Sequence, residues 1–508
     1  MKTLRLSLLL VPAALAWAAA AQAADARPDE GSMFGGEPAA AAAAAPAAKL
    51  KPTAVPAAEA ATAADADNDS QVNSADTGRD AFASGGTKED PLQIGGSIYQ
   101  QWLASPQTGL SPGETPLSMP LQVDTFLDAR PNDRVRGYVR GRLLYDSTKD
   151  AYSRSTAPGS SASVTSALAG TSTASLPNNP QVVLDQAWLK FDMSHAIFAT
   201  VGKQHVKWGT GHIWNPTDFL TPQRYDPLQP YDARLGATMV NFQMPFGWHQ
   251  TNLSAVALMD NPQAASTLQQ MGAAARIESV QFGAELGLDF VTRPGRAPSY
   301  GADISTPLGP FDAYAETAVL TGDHFDTYQY VAKPQSSPVQ LTDYYADNGV
   351  AGPVVQAVGG LNYTFNWQDN RSATLGGEYF YNELGASEYG VYPVLLALGR
   401  YQPYYLGKHY ASIYLSAEGP DEGKKTAYNL STISNISDGS YVSRLDFTWL
   451  LLDYLSFGMY GDVHYGTTGG EFNFALKTPV IQNGSQAIPA IDQPTTPFDF
   501  GLSLHLDY

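Results

Sequence analysis

From Leu92 to the last residue, apolar and polar side chains alternate with a period of two. The clearest run is Phe498-Asp-Phe500-Gly-Leu502-Ser-Leu504-His-Leu506-Asp-Tyr508, where every even position is apolar or aromatic and every odd one is Asp, Gly, Ser or His. Successive side chains of a strand point to opposite faces, so this run has one apolar face and one wet face. The same alternation sets Leu121, Val123 and Leu127 against Gln122, Asp124 and Asp128, and Leu445, Phe447 and Trp449 against Arg444, Asp446 and Thr448. Such runs predict strands near 92–104, 119–128, 134–145, 181–191, 197–207, 234–244, 249–259, 271–278 and 281–292. They continue near 300–306, 311–321, 354–367, 371–382, 408–418, 424–434, 441–450, 454–465 and 498–508. The total is about 18, an even number, as single-chain bacterial membrane barrels require.

The connections carry a second signal. Tight turns are expected at Arg130–Asp133, Met193–His195, Pro245–Gly247, Ser279, Pro307–Pro310, Gln368–Asn370, Pro420–Gly423 and Leu451–Asp453. Most are rich in Pro, Gly, Asn and Asp, the residues of tight reversals. The intervening connections are mostly longer, as at 146–180, 208–233, 322–353, 383–407 and 466–497. Alternating short turns and long loops is the habit of a membrane barrel. The expected fold is therefore all-β, a transmembrane antiparallel β-barrel of about 18 strands over residues 91–508 with a disordered N-terminal arm.

The first 90 residues follow other rules. Lys2 and Arg5, the apolar Leu6–Ala20 and the small-residue site Ala21-Gln-Ala23 read as a secretory signal peptide, residues 1–23. Residues 24–90 are rich in Ala, Pro and Asp and too poor in aromatics to bury a core, so they are expected as a disordered periplasmic arm. Within that arm, Asp65, Asp67, Asp69, Gln71, Asn73 and Asp76 place oxygens at the spacing of a calcium loop, with Ser70 where the sharp turn wants Gly. Acidic linkers also produce such spacings by chance, and calcium is the one cofactor the sequence brings into question.

Charged residues make up 16% of the chain and the net charge is −19, which argues against nucleic acid as a partner. Beyond the leader no apolar run is long enough for a membrane helix. With no cysteine, disulfide frameworks, thiol catalysis and Cys-ligated metals are excluded. No nucleophile elbow, zinc-protease, P-loop or dinucleotide motif occurs, so no catalytic residues are expected.

Two motifs carry a resemblance. Gly202-Lys-Gln-His-Val-Lys-Trp208-Gly209 (G-x-Q-x-x-x-W-G) and Trp214-Asn-Pro-Thr-Asp218 (W-N-P-x-D) resemble a group of poorly characterised proteobacterial outer-membrane porin-like proteins, over roughly residues 90–508. The resemblance implies a large barrel in the cell outer membrane of a Gram-negative bacterium and little about cargo. The final aromatic strand also resembles the signature by which the barrel-assembly machinery recognises its clients, which would make that machinery a partner during biogenesis. The arm is too short for a TonB-dependent receptor plug and unlike the apolar hatch of fatty-acid transporters.

Strand parity places two sets of charges in the lumen. Arg134, Arg136, Arg140, Arg142, Lys203, His205 and Lys207 form an expected basic wall, and Glu285, Asp289, Asp303, Asp312, Glu316 and Glu378 an acidic one. Facing walls would impose a transverse field on solutes; the alternative is that these groups only solvate or pair. The third long connection carries His212, Trp214, Asp218, Arg224, Asp226 and Asp232 among several prolines, and is expected either to fold inward as a constriction or to pack at the surface. Aromatics such as Trp188, Trp208, Trp248, Tyr379, Tyr404 and Tyr405 are expected as an interfacial girdle, with an inward sugar slide through Tyr410 and Tyr414 as a further option.

The function expected is a channel, contacting outer-membrane lipid, for passive or weakly selective diffusion of small hydrophilic solutes. The alternatives are a gated exporter of an anionic polysaccharide or other polymer, in the manner of alginate-export-type barrels, and an outer-membrane hydrolase. Oligomeric state stays open.

Overall fold

A computed structural model describes residues 91–148, 179–259 apart from 222, 230, 231 and 233, then 267–331, 340–367, 371–421 and 425–508 apart from 479, 484, 485, 489 and 490. The leader, the arm and the Asp65–Asp76 oxygen spacing lie outside the described residues. Eighteen long strands form one sheet. They are β1 Leu92–Ala104, β2 Pro120–Asn132, β3 Val135–Asp146, β4 Gln181–Met193, β5 Ile197–Gln204 and β6 Ala237–Phe246. Next come β7 Thr251–Leu258, β8 Gly272–Gln281, β9 Ala284–Arg293, β10 Arg296–Leu308, β11 Phe311–Leu320 and β12 Val354–Trp367. The last are β13 Arg371–Asn382, β14 His409–Glu418, β15 Thr426–Asn435, β16 Ser440–Leu452, β17 Leu455–Gly466 and β18 Phe498–Asp507.

Each strand pairs antiparallel with the next in sequence. The sheet then closes on itself, because β18 pairs with β1 from Ser97↔Asp507 to Ala104↔Phe500. Closure leaves no unpaired edge. Tyr508 completes the seam: its backbone exchanges hydrogen bonds of 3.0 and 2.9 Å with Gly96, and its hydroxyl lies 2.9 Å from Thr125 Oγ1.

The burial order is inside out. Leu127, Leu189, Phe242, Leu288, Leu361, Ile413 and Leu445 stand exposed on the outer face, while Asp124, Arg142, Asp289, Glu316, Glu378 and Arg444 are buried on the inner one. An apolar side chain left in water forgoes roughly 1.5–3 kcal/mol. A whole exterior of them is stable only against hydrocarbon, the arrangement of a lipid-facing barrel.

Strand positions agree with the alternation to within a few residues; the turn expected at Gln368–Asn370 and part of that at Pro420–Gly423 lie outside the described residues, and among the others one differs. The hairpin expected at Ser279 instead reverses at Phe282-Gly283, with φ of 56° and 80°. Two consecutive positive-φ residues make the hairpin turn whose twist suits a sheet, and Phe282 is left fully exposed at its tip. Two connections on the long-loop end are also short, at residues 294–295 and 436–439.

Candidate functional site

The site begins with the chain leaving β5. Gly202 has φ +130°, and a Cβ there would collide with the carbonyl of Ala187. Beyond it Gln204 is buried, and Val206 and Trp208 pack against Leu220, Met239, Leu258 and Val291. The loop of residues 205–236 is thus drawn over the inner face rather than out to solvent. It crosses the lumen: its far point is seated on β11, β13 and β14, and β14 lies nine strands from β5 in a ring of 18.

Two inward carboxylates hold that far point by its backbone. Glu316 of β11 accepts from the N–H groups of Thr210, Gly211 and Thr217 at 2.9, 3.0 and 2.7 Å. Glu378 of β13 accepts from His212, Ile213 and Trp214 at 2.6, 3.0 and 3.3 Å, and from the Tyr314 hydroxyl at 2.8 Å. Carboxylates receiving several N–H bonds in a dry site make strong anchors. Gly209, at φ +89°, allows the close approach, since a Cβ there would meet Glu316 and Thr217.

Side chains complete the seat. Trp214 is fully buried, lies 5.6 Å from Phe380 in a stacked pair and donates from Nε1 to the Tyr404 carbonyl at 2.9 Å. The His212 ring meets Tyr314 edge-on at 4.8 Å, and Asn362 Nδ2 donates to His212 Nε2 at 3.2 Å. Arg224 lies 4.5 Å over the Tyr405 ring, and Asp226 accepts from the Tyr404 hydroxyl at 2.8 Å. Near the return to β6, Arg234 bridges Asp218 at 2.7 Å and Asp232 at 2.6 Å. Burial pushes the Asp218 carboxyl up despite that guanidinium.

Two further loops cover this seat. Glu471, from the connection before β18, accepts from the Tyr410 hydroxyl at 2.6 Å and Asn435 Nδ2 at 2.9 Å, and from the Tyr404 N–H. Burial pushes Glu471 up to about 7. Asp438 accepts from the Tyr392 hydroxyl at 2.9 Å and from the Glu471 N–H at 2.8 Å.

The charged walls resolve into pairs. Arg136 makes a two-point contact with Asp128 at 3.0 Å, and Arg140 and Arg142 reach Asp124 at 2.6 and 3.0 Å. A bulge in β4 turns Asp185 inward beside Gln186, and His205 Nε2 meets it at 2.8 Å. On the other side Arg276 holds Asp289 and Asp303, each at 2.7 Å. These pairs join neighbouring strands, or in Arg276–Asp303 strands two apart, at about 4.8 Å per spacing, so these charges pair locally within the wall.

Several positions differ from the parity reading. The inward column of β5 is even-numbered, so Lys203 sits opposite Ala187 on the outer column with Leu189 and Val201, its ammonium on the Leu184 carbonyl. Arg134 lies exposed at the β2–β3 turn and donates to the Asp192 carbonyl at 3.4 Å. Lys207 is half-buried between the core residues Val206 and Trp208. Glu285 and Asp312 are on the inner column, at the register of Val280 and of Pro307. Trp188, Trp208, Tyr404 and Tyr405 belong to the interior, Trp188 stacking on Tyr138 at 5.4 Å. Tyr410 and Tyr414 are fully buried under the loops, which removes them as an open slide.

No protein-family model matches the chain, and no curated protein does. Among solved structures, OccK11 of Pseudomonas aeruginosa is 8% identical at a TM-score of 0.44, covering 82% of this chain and 95% of that one. The outer membrane protein opdK of Pseudomonas aeruginosa is 9% identical at 0.45, covering 82% and 98%. A Rhodopseudomonas blastica porin triple mutant is 9% identical at 0.39, covering 82% and 100%. At these identities and TM-scores the likeness says nothing about which solutes pass.

Proposed function

We propose that this protein is an outer-membrane channel of porin type, narrowed by the loop of residues 205–236, through which small hydrophilic solutes diffuse with weak selectivity. The observation that carries the reading is the seating of Trp214 and its neighbours on Glu316 and Glu378 across the lumen. A polar interior inside an apolar exterior supplies the water path, and an inward loop sets its width. In porin orientation the short turns, the start of β1 and the end of β18 face the periplasm. The motif resemblance fits this reading, because Gly202, Gln204, Trp208, Gly209, Trp214 and Asp218 are the residues that turn the loop inward and seat it. Pairing of the arginines with Asp124, Asp128 and Asp185 speaks against an exporter that draws polyanions through a strongly basic bore.

The test is single-channel conductance of refolded protein in a planar bilayer, with reversal potential under a salt gradient. Small, stable steps with a reversal potential near zero are expected. A silent protein whose folding is confirmed by heat-modifiable gel migration overturns the proposal.

A further inference from the structure

A second cluster lies on the inner wall where β17 and β18 meet. Asp462 and Asp499 face each other directly in register. Like charges in that position repel, and the ladder keeps them there. His464, two residues on, joins them: one ligand atom from each of the three lies within 4.8 Å of the others.

The histidine is oriented by a backbone carbonyl. Its Nδ1 donates to Phe472 O at 2.8 Å, which fixes the tautomer and turns Nε2 toward Asp499 Oδ2 at 3.0 Å. A ring nitrogen so held by an outer partner is the usual state of a metal-binding imidazole. In the neutral ring Nε2 carries a lone pair, and a lone pair against a carboxylate calls for a positive charge between them. A second proton on the ring meets that need for Asp499 alone.

Asp462 decides between proton and metal. The residue is 6% exposed; Arg444 Nη1 holds its Oδ2 at 3.2 Å, and its Oδ1 has no hydrogen-bond partner among the described residues. Leaving a buried carboxylate oxygen bare is costly, and an imidazolium with its last N–H on Asp499 leaves it bare. Charge points the same way. Asp446, Asp462 and Asp499 are opposed by Arg444, which also holds Asp446 at 2.8 Å, so the group carries an excess of two negative charges with His464 neutral.

We propose that Asp462, His464 and Asp499 bind a first-row divalent metal ion, zinc in the first instance. One imidazole nitrogen with two carboxylates suits zinc and its neighbours, whereas calcium and magnesium take oxygen ligands. Bonds of about 2.0–2.2 Å need only a small inward movement of the three groups. Three protein ligands leave the fourth tetrahedral position to water from the lumen. The ion ties the β17–β18 ladder, through His464 and the Phe472 carbonyl, to the loop that carries Glu471.

The test is equilibrium dialysis of Zn²⁺ alone against the refolded full chain and its variants H464Q, D499N and H324Q. The last variant controls for an exposed trio, His324, Asp326 and Asp347, whose ligand atoms also cluster but whose Asp326 is engaged by Arg400. Affinity should fall at least tenfold in H464Q and in D499N and stay unchanged in H324Q. Zinc binding that survives H464Q, or is lost with H324Q instead, overturns the proposal. X-ray absorption on zinc-loaded wild type, which needs no variant to fold, should show scattering from one imidazole; its absence overturns the proposal equally. Neither measurement requires current, so a failed channel reading leaves this test intact.

Discussion

Trp214 stacks on Phe380 with ring centroids 5.6 Å apart and 14° between the planes, although the strand that leads to Trp214 and the strand that carries Phe380 lie on opposite sides of the barrel. Truncating a buried aromatic costs about 3–5 kcal/mol. Trp214→Ala should therefore undock the loop without opening the barrel wall, which is held by strand pairing. Conductance steps should grow while heat-modifiable migration is kept; steps of unchanged size would mean that the loop does not set the width.

Glu378 makes the same seat from its backbone side. A hydrogen bond to a charged group contributes on the order of 1.5–3 kcal/mol, and Glu378 accepts three from the loop. Glu378→Gln keeps one acceptor oxygen, loses the charge and turns an amide N–H toward those donors. New proteolytic cuts within residues 205–236 are expected in folded protein, and a digestion pattern identical to wild type would remove Glu378 from its anchoring role.

Glu471 should make the cover over this seat respond to pH. Burial raises its folded pKa to about 7 from an ordinary 4.5, so the folded protein binds the proton more tightly than the open one. The contribution to loop docking is then fully present below about 4.5 and is lost as pH rises through about 7. Conductance should increase between pH 5 and pH 8, and Glu471→Gln should flatten that slope. A slope that persists in the variant would place the titrating group elsewhere.

Arg142 tests the balance of the inner wall. Its guanidinium serves Asp124 at 3.0 Å and Asp185 at 3.6 Å. Removing one partner from a buried ion pair costs about 3–5 kcal/mol, and here it also removes a positive charge from the lumen. Arg142→Gln should shift the reversal potential toward cation selectivity. An unchanged potential would mean that ions do not pass this part of the wall.

The architecture was legible in the sequence because lipid on one side and water on the other force a period of two on every strand. The count of about 18 strands follows from that alternation, and the up-and-down path from the separate signal of short turns alternating with long connections. The inward loop was legible only as a choice, since prolines and aromatics in residues 209–233 suit a stiff surface loop equally well. What the charges do was harder to read. Glu316 and Glu378 look like wall charges by parity, but their partners are backbone N–H groups, which leave no residue signature. The bulge that turns Asp185 inward and the even parity that takes Lys203 out are each one-residue shifts, below the resolution of any alternation. Arg234 reaches Asp218, Arg276 reaches Asp303 and Glu471 reaches Tyr410 over separations that no local pattern records.

The loop of residues 205–236 leaves the wall at β5, is fastened on β13 and β14, and returns at β6. In geometric terms it is a chord across a ring. A bilayer presses sideways on whatever it encloses, and a hydrogen-bonded sheet bends far more easily than it stretches, so a hollow ring of this girth tends to flatten into an oval. A chord pinned near opposite ends of a diameter resists that flattening as a strut does. The stack of Trp214 on Phe380 thus works against that flattening, and the variants that widen the passage should also make the barrel mechanically softer.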